Sequence, residues 1–328
     1  MDNTFFANKR VLVTGGTGLI GKPLVEMLLD AGARVRVVSL DDPSRADPRA
    51  EFMRADLTQG EECRNACNGM NIVFNLVGIK GSPKMTMEKP ASFFVPTILF
   101  NTNMMEAARL CHVDWYLFTS TIGVYAPAEV FHEDDVWKAF PSENDKFGGW
   151  AKRMGELQAQ AYAIEYGLKN ISIVRPANVY GPYDNFDPAN AMVIPALITR
   201  ALGGENPFSV WGDGSSIRDF IFSRDVAAGM MMAVQKGETR PINLGSGCER
   251  TVKDIVAIIV DNMDKKPEVR WDTSKPSGDL RRLMDVSRAQ SLGIIPATSL
   301  ENGIAITMAW FREHAEDLHN RYNVFTRT

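Results

Sequence analysis

The chain has 328 residues, a net charge of −4, 45% hydrophobic residues and 23% charged residues. At roughly 150 residues per domain, this length predicts about two domains, or one large α/β unit with additions. Such a chain buries enough surface to fold without disulfides or a structural metal. Its pI near 5.7 argues against a dedicated nucleic-acid or membrane-surface binder, which would carry a basic field.

Two further features narrow the class of protein. Residues 1–10 lack a basic-then-apolar signal pattern, and no apolar run approaches the roughly 18 residues that span a bilayer. No His or Cys cluster completes a metal set with the four cysteines, which are Cys63, Cys67, Cys111 and Cys248. We therefore expect a cytoplasmic protein with reduced thiols, no bound metal, and no nucleic acid or membrane as partner.

Strands and helices alternate from the start of the chain. Residues 9–14 predict a buried strand, residues 21–31 a helix with one apolar side, and residues 34–40 a second strand. A strand, a glycine turn, a helix and a strand within about thirty residues form a βαβ unit, which requires a parallel sheet.

The same alternation continues, with strands predicted at 72–77, 115–120 and 171–175 and helices at 100–111 and 151–166. This pattern predicts an α/β fold with a Rossmann-type doubly wound parallel sheet. After residue 175 prolines and glycines become frequent, and we expect 208–211 and the helix 225–234 to return to the sheet. The predicted division is a dinucleotide-binding domain of residues 1–180 plus 208–245, and a smaller lobe of residues 181–207 plus 246–328.

The first turn carries a glycine pattern typical of cofactor binding. Residues 14–21 read TGGTGLIG, between a predicted strand and a predicted helix. Glycines there allow the backbone to approach a pyrophosphate closely, and the helix N-terminus supplies free N–H groups and a positive dipole end. We predict that the cofactor is bound by this turn, through Gly15, Thr17, Gly18, Leu19, Ile20 and Gly21.

The end of the second strand bears on the choice between NAD and NADP. Asp41 would bind the ribose 2′-OH and favour NAD, whereas Ser39 with a nearby arginine would tolerate the 2′-phosphate of NADP. Both cofactors remain open at this point. Asp56 and Leu57 would suit a turn that contacts the adenine.

These residues and several later segments resemble the extended short-chain dehydrogenase/reductases of the NAD-dependent epimerase/dehydratase family, and among them the GDP-L-fucose synthases. The resemblance implies a Rossmann domain and a smaller C-terminal lobe that grips a nucleoside diphosphate sugar, with a GDP-sugar favoured. It also implies a homodimer that pairs helices 101–110 and 151–166. The matching segments are 75–78 (NLVG), 119–125 (TSTIGVY), 152–156 (KRMGE), 175–182 (RPANVYGP), 181–197, 211–220 (WGDGSSIRDF), 243–245 and 275–285.

The resemblance also implies roles for particular residues. Thr121 stands where the family has its catalytic Ser/Thr, and Lys152 stands where a lysine holds the nicotinamide ribose. Leu76, Val77 and Gly78 would complete the cofactor site. The nucleotide sugar would be bound by Asn178, Val193, Arg200, Trp211, Arg218 and Arg281, of which the last two suit a diphosphate because guanidinium matches phosphate bidentately.

One departure concerns the catalytic tyrosine. The family's acid/base tyrosine stands four residues before the lysine, and that position is Gly148 here. Three explanations are open. The enzyme uses another proton carrier, such as Thr121, Lys152 or an ordered water; the glycine is an engineered replacement; or the protein binds nucleotide sugar and cofactor with weak or no catalysis.

Two further departures narrow the reaction. Gly123 and Met192 replace the cysteine and histidine that move protons in GDP-L-fucose synthases, which predicts no 3,5-epimerase activity of that type. Ile122 and Gly123 also replace the acidic pair that commonly follows the Thr in 4,6-dehydratases. What the resemblance then implies is hydride transfer at one sugar carbon, C4, with or without re-reduction from the other face.

Overall fold

The computed structural model describes residues 4–79, 81, 83–275, 279–315 and 322. Its strands are β1 (Arg10–Thr14), β2 (Arg34–Ser39), β3 (Glu51–Arg54), β4 (Ile72–Asn75), β5 (Trp115–Thr119), β6 (Ile171–Pro176), β7 (Asn178–Tyr180), β8 (Phe208–Trp211), β9 (Ile217–Arg218), β10 (Phe220–Phe222), β11 (Ile242–Leu244), β12 (Arg250–Thr251), β13 (Val269–Asp272) and β14 (Arg281–Arg282). Its α-helices are α1 (Gly21–Asp30), α2 (Gly60–Cys67), α3 (Pro83–Glu88), α4 (Pro90–Leu110), α5 (Lys146–Glu165), α6 (Val193–Leu202), α7 (Ser223–Gln235), α8 (Val252–Asp261), α9 (Ser287–Ser291) and α10 (Leu300–His314).

The centre of the fold is a seven-stranded parallel sheet. Its strands lie in the order β3, β2, β1, β4, β5, β6, β11. The chain order reverses between β1 and β4, and a doubly wound sheet opens its ligand crevice at such a point, beyond the carboxyl ends of the strands. The predicted Rossmann-type fold is confirmed.

Helices cover both faces of this sheet, so its central strands β1, β4, β5 and β6 are buried on both sides, whereas the edge strand β3 is partly exposed. Successive side chains of a strand point to opposite faces. In β1, Val11 and Val13 belong to the apolar cluster under α1 and α7, while Leu12 belongs to the cluster under α2 and α4. Burial from both sides explains why these strands are apolar without alternation.

A second lobe has its own apolar core. Helices α6, α8 and α10 contribute Leu197, Ile255 and Ile304 to it. The prediction that 208–211 returns to the central sheet is wrong, because β8 pairs with β13 and its Phe208 and Val210 pack in this lobe. Helix α7 does return to the central sheet, beside α1, and β11 adds the last strand.

Two helices begin earlier than the sequence predicts. Helix α4 begins at Pro90 and continues through Pro96, whereas its predicted start was residue 100. Helix α5 begins at Lys146 instead of residue 151. The glycine pair 148–149, which disfavours a helix in sequence terms, therefore lies inside its first turn. A Cβ at Gly149 would lie 2.3 Å from the carbonyl oxygen of Gly123, so close packing requires glycine there. Within the described ranges, no helix is long and apolar enough to span a membrane.

Candidate active site

The glycine turn lies at the point where the strand order reverses. Gly15 follows β1 with a φ of +66°, which favours glycine, and its N–H donates to the Val38 carbonyl at 2.8 Å. A Cβ at Gly21 would lie 2.2 Å from the Gly15 carbonyl oxygen, so α1 begins in direct contact with the turn. This cradle and the helix N-terminus fit a pyrophosphate, as the sequence predicts for residues 15–21.

The predicted segment 76–78 lies against the same turn. The hydroxyl of Thr14 accepts hydrogen bonds from the backbone N–H groups of Leu76 (3.0 Å) and Val77 (2.9 Å), and donates to Asn75 Oδ1 at 2.8 Å. These bonds hold the chain after β4 beside the end of β1. Gly78 then reaches the cavity described below.

The predicted ribose-binding residues form one network. The Thr17 hydroxyl donates to Asp41 Oδ2 at 2.7 Å and lies 2.9 Å from Ser39 Oγ. Arg45 Nε lies 3.8 Å from Asp41, and burial together with the Arg45 charge lowers the pKa of Lys22 nearby. The carboxylate suits a ribose hydroxyl and the cations suit a phosphate, so both NAD and NADP are compatible with these residues.

Asp56 and Leu57 lie beyond β3. Asp56 Oδ1 accepts hydrogen bonds from the N–H and hydroxyl of Thr58, at 3.0 Å and 2.8 Å, and Leu57 is buried. Their contact with an adenine stays a prediction.

The three predicted catalytic positions share one cavity. A cavity of about 150 Å³ is lined by Thr121, Gly148 and Lys152, together with Gly78 from the cofactor side. Sequence reasoning did not single out the remaining lining residues except Gly123; they are Ile79, Phe93, Thr97, Asp145 and Gly149. Asp145, three residues before Gly148, ends the 3₁₀ turn that leads into α5.

Lys152 has the most strongly perturbed environment in this cavity. Its ammonium lies 5.1 Å from the centre of the Phe118 ring. Burial lowers the pKa of Lys152 to about 8, although Glu156 one turn later raises it. A lysine with this pKa is charged near neutral pH and close enough to its titration point to exchange a proton.

Thr121 and Gly148 line this cavity from different elements, the cap of the turn 122–124 and helix α5. Thr121 Oγ1 accepts a hydrogen bond from the Gly123 N–H at 3.2 Å, which caps the short turn of residues 122–124. Gly148 faces α4, where a Cβ would lie 3.3 Å from the Phe93 ring. Position 148, where the family has its tyrosine, therefore adjoins the Phe93 ring and has no side chain that could carry a proton.

The predicted nucleotide-sugar residues lie outside the lining of this cavity. Asn178 Nδ2 donates to the Asp219 carbonyl at 2.8 Å, and Trp211 is exposed. Val193 is exposed at the start of α6, and Arg200 pairs with Glu205 at 2.5 Å. Their contact with a substrate stays a prediction.

The arginines of β9 and β14 are placed differently from one another. Arg218 is partly buried, and burial followed by the Arg282 charge lowers its pKa. Arg281 pairs with Glu249 and donates from Nε to the Glu129 carbonyl at 2.8 Å, whereas Arg282 lies 2.6 Å from Asp145. Successive strand residues point to opposite sides, so Arg281 and Arg282 have different surroundings. The sequence analysis named Arg281 and missed Arg282.

Residues 276–278 of the matching segment 275–285 lie outside the described residues.

A doubly wound sheet with a glycine turn at its crevice, and a threonine and a lysine in one adjoining cavity, define a dinucleotide-dependent protein of the short-chain dehydrogenase/reductase type. Residues 11–245 match the profile of the NAD dependent epimerase/dehydratase family, and the chain belongs to that family. This is a family of NAD(P)-dependent epimerases and reductases that act on nucleotide sugars. The cofactor is NAD or NADP.

Three similar proteins illustrate its range. The chain is 31% identical to "Probable GDP-L-fucose synthase 1" of Oryza sativa subsp. japonica, covering 95% of each protein. It is 26% identical to the dTDP-4-dehydro-6-deoxy-D-allose reductase of Streptomyces bikiniensis, covering 94% of this chain and 98% of that one. The Thermus thermophilus UDP-glucose 4-epimerase, solved in complex with NAD, superposes with a TM-score of 0.80 at 28% identity, covering 92% of this chain and 99% of that one.

Proposed function

We propose that the protein is an NAD(P)-dependent nucleotide-sugar oxidoreductase or epimerase that transfers a hydride at C4 of a GDP-sugar. One observation carries this proposal. Thr121 and Lys152 line a single cavity with Gly78, which follows the segment held at the cofactor turn. A sugar carbon in that cavity would lie between the predicted nicotinamide side and a hydrogen-bonding hydroxyl.

The bound nicotinamide supplies a two-electron hydride acceptor or donor. The residues of the chain hold the substrate and the cofactor in place. Thr121 hydrogen-bonds the sugar oxygen, the Lys152 ammonium holds the nicotinamide ribose, and the turn 15–21 holds the pyrophosphate. Gly123 and Met192 provide no proton carriers, so we propose no 3,5-epimerisation.

The GDP-sugar preference rests on the likeness to a probable GDP-L-fucose synthase, and a dTDP-sugar reductase is the rival precedent. On the protein side, the exposed indole of Trp211 offers a surface to the base, and Arg218 offers a guanidinium to the diphosphate. Neither residue distinguishes guanine from thymine, so the substrate panel must contain both.

A second function is favoured by Gly148. This position carries no acid/base group and adjoins the Phe93 ring, which suits a protein that binds cofactor and nucleotide sugar without turnover. Binding in the absence of turnover is the outcome that separates this candidate from an enzyme.

The test incubates the purified protein with NAD or NADP and a panel of GDP-, dTDP- and UDP-sugars. Products are identified by NMR and chromatography, because an epimerase returns its hydride and leaves no net change in the cofactor. Turnover of a GDP-sugar supports the proposal, and a Thr121→Val variant should lose most of it. Cofactor and sugar binding with no product supports the second function, and no binding at all contradicts both.

We also propose a homodimer formed through α4 and α5. These helices pack together and expose apolar side chains, including Leu99 and Leu110 on α4 and Leu157 and Ile164 on α5. An apolar face of this kind indicates an interface. Light scattering should give twice the 36.4 kDa of one chain, and a monomer at micromolar concentration would contradict the dimer.

A further inference from the structure

Asp145 brings a carboxyl group into the cavity from a segment that has no assigned role. It ends the 3₁₀ turn Glu143–Asp145, directly before α5, and lines the same cavity as Thr121, Gly148 and Lys152. Among the lining residues that the structure describes, Asp145 and Lys152 are the two with titratable side chains. If Lys152 is committed to the ribose, Asp145 is the remaining carrier for a proton.

The carboxyl group takes the place of a missing side chain. A Cβ at Gly123 would lie 3.1 Å from Asp145 Cγ and 3.3 Å from its Oδ1. A larger residue at 123 and the present position of Asp145 therefore compete for the same volume. The acidic side chain reaches this volume from the turn before α5, and the absence of a side chain at 123 leaves room for it.

Arg282 of β14 holds this carboxyl group in position. Arg282 Nη2 lies 2.6 Å from Asp145 Oδ2 and Arg282 Nη1 lies 4.0 Å from Asp279. Asp279 in turn accepts hydrogen bonds from Ser142 and Asn144, at 3.2 Å and 2.6 Å. Arg282 therefore ties β14 to the turn before α5, and its buried Nε–H has no hydrogen-bond partner among the described residues.

We propose that Asp145 is the proton carrier of the reaction, in place of the tyrosine that Gly148 lacks; this rests on the proposed function. When the sugar alcohol is oxidised, its C–H bond breaks and the hydride goes to the nicotinamide. Its O–H bond breaks as the C=O bond forms, and the proton goes to the Asp145 carboxylate. Reduction of the carbonyl runs the same step backwards, with the proton returned by the carboxylic acid.

The experiment compares Asp145→Asn, Asp145→Glu and Glu143→Gln in steady-state turnover of whichever nucleotide sugar the panel identifies. Glu143 lies in the same turn, but its carboxylate is exposed and pairs with Lys146, so it controls for changes to the turn itself. We expect Asp145→Asn to lower kcat roughly 10²- to 10⁴-fold, the usual contribution of a general acid or base. Cofactor affinity, measured by fluorescence titration, should stay within about twofold in all three variants, because the cofactor turn is separate.

Two readouts distinguish a proton carrier from a structural residue. Measured in the oxidation direction, where the carboxylate accepts the proton, the acidic limb of the pH profile of kcat should vanish in Asp145→Asn and persist in Asp145→Glu. Formate added to Asp145→Gly should restore part of the lost turnover. If wild type and Asp145→Asn turn over equally, the role of Asp145 is refuted while the proposed function stands. A wild-type protein that turns over no nucleotide sugar overturns both.

Discussion

Replacing Lys152 by methionine should stabilise the fold at neutral pH. Methionine is likewise unbranched and flexible, is one atom shorter, and removes the charge. Burial holds the pKa of Lys152 at about 8, against an ordinary value of 10.5. A pKa difference of this size corresponds to about 3 kcal/mol of destabilisation of the folded state when the ammonium is charged. Loss of the cation–π contact with Phe118 offsets about 1 kcal/mol, so the expected gain is about 2 kcal/mol.

The sign of the pH dependence follows from proton counts. Between about pH 8 and pH 10.5 the unfolded chain binds more protons at this lysine than the folded chain, so wild-type stability rises with pH across that window. The cost of the buried charge is present in full below about pH 8 and disappears as the pH approaches 10.5. The advantage of Lys152→Met should therefore shrink towards zero at high pH.

Equilibrium urea unfolding measures the difference in stability between Lys152→Met and wild type at about pH 7 and about pH 9.5. The difference is taken from the shift of the midpoint at constant m-value. Lys146→Met is the matched control, because that lysine is exposed and pairs only at the surface; its stability should change by less than about 0.5 kcal/mol at both pH values. A variant that is no more stable than wild type near pH 7, or whose gain does not shrink at higher pH, would refute the idea that Lys152 is a costly buried cation retained for its position in the cavity.

Three further predictions follow from other contacts. Gly148→Tyr should give no increase in kcat and should lower stability by about 1–3 kcal/mol, because its Cβ already lies 3.3 Å from the Phe93 ring; a large gain in turnover would instead show a vacated tyrosine site. Glu156→Gln should lower the free energy of unfolding in urea by about 3–5 kcal/mol, since it leaves the buried Arg175 without its partner at 2.6 Å; a loss below about 1 kcal/mol would contradict this. Asp41→Ala should raise the affinity for NADP relative to NAD about tenfold in fluorescence titrations, because the carboxylate would repel a 2′-phosphate; an unchanged ratio would exclude Asp41 as the determinant.

The fold was predictable where local pattern and packing agree. A strand, a glycine turn, a helix and a strand define the first βαβ unit in the sequence, and the structure has them at Arg10–Thr14, Gly21–Asp30 and Arg34–Ser39. The position of 208–211 was not predictable, because a short apolar strand has the same pattern in either lobe. Its partner β13 lies about sixty residues later, and only the paired structure shows which lobe it joins.

For the candidate site, the sequence analysis named some of the residues that line the cavity and missed others. Thr121, Gly148 and Lys152 were identified from the resemblance to the family, and they do share one cavity. Asp145 was missed because an aspartate before a helix is usually a cap, and its closeness to Gly123 depends on how α5 packs against the turn 122–124. Arg282 was missed because the direction of a side chain in a two-residue strand cannot be deduced without its register.

Gly148 places no acid/base group at this position of α5, but it does not loosen the helix that carries it. Helix α5 is fixed by contacts on its other turns. Arg153 donates to the Val124 carbonyl at 2.6 Å, and Glu156 accepts from Ser120 at 2.5 Å as well as pairing with Arg175. None of these bonds involves residue 148, so Lys152 keeps its place whether or not that position holds a proton carrier. On our proposal, Asp145 takes over proton transfer from the turn just before the helix, while it is paired with Arg282 of β14.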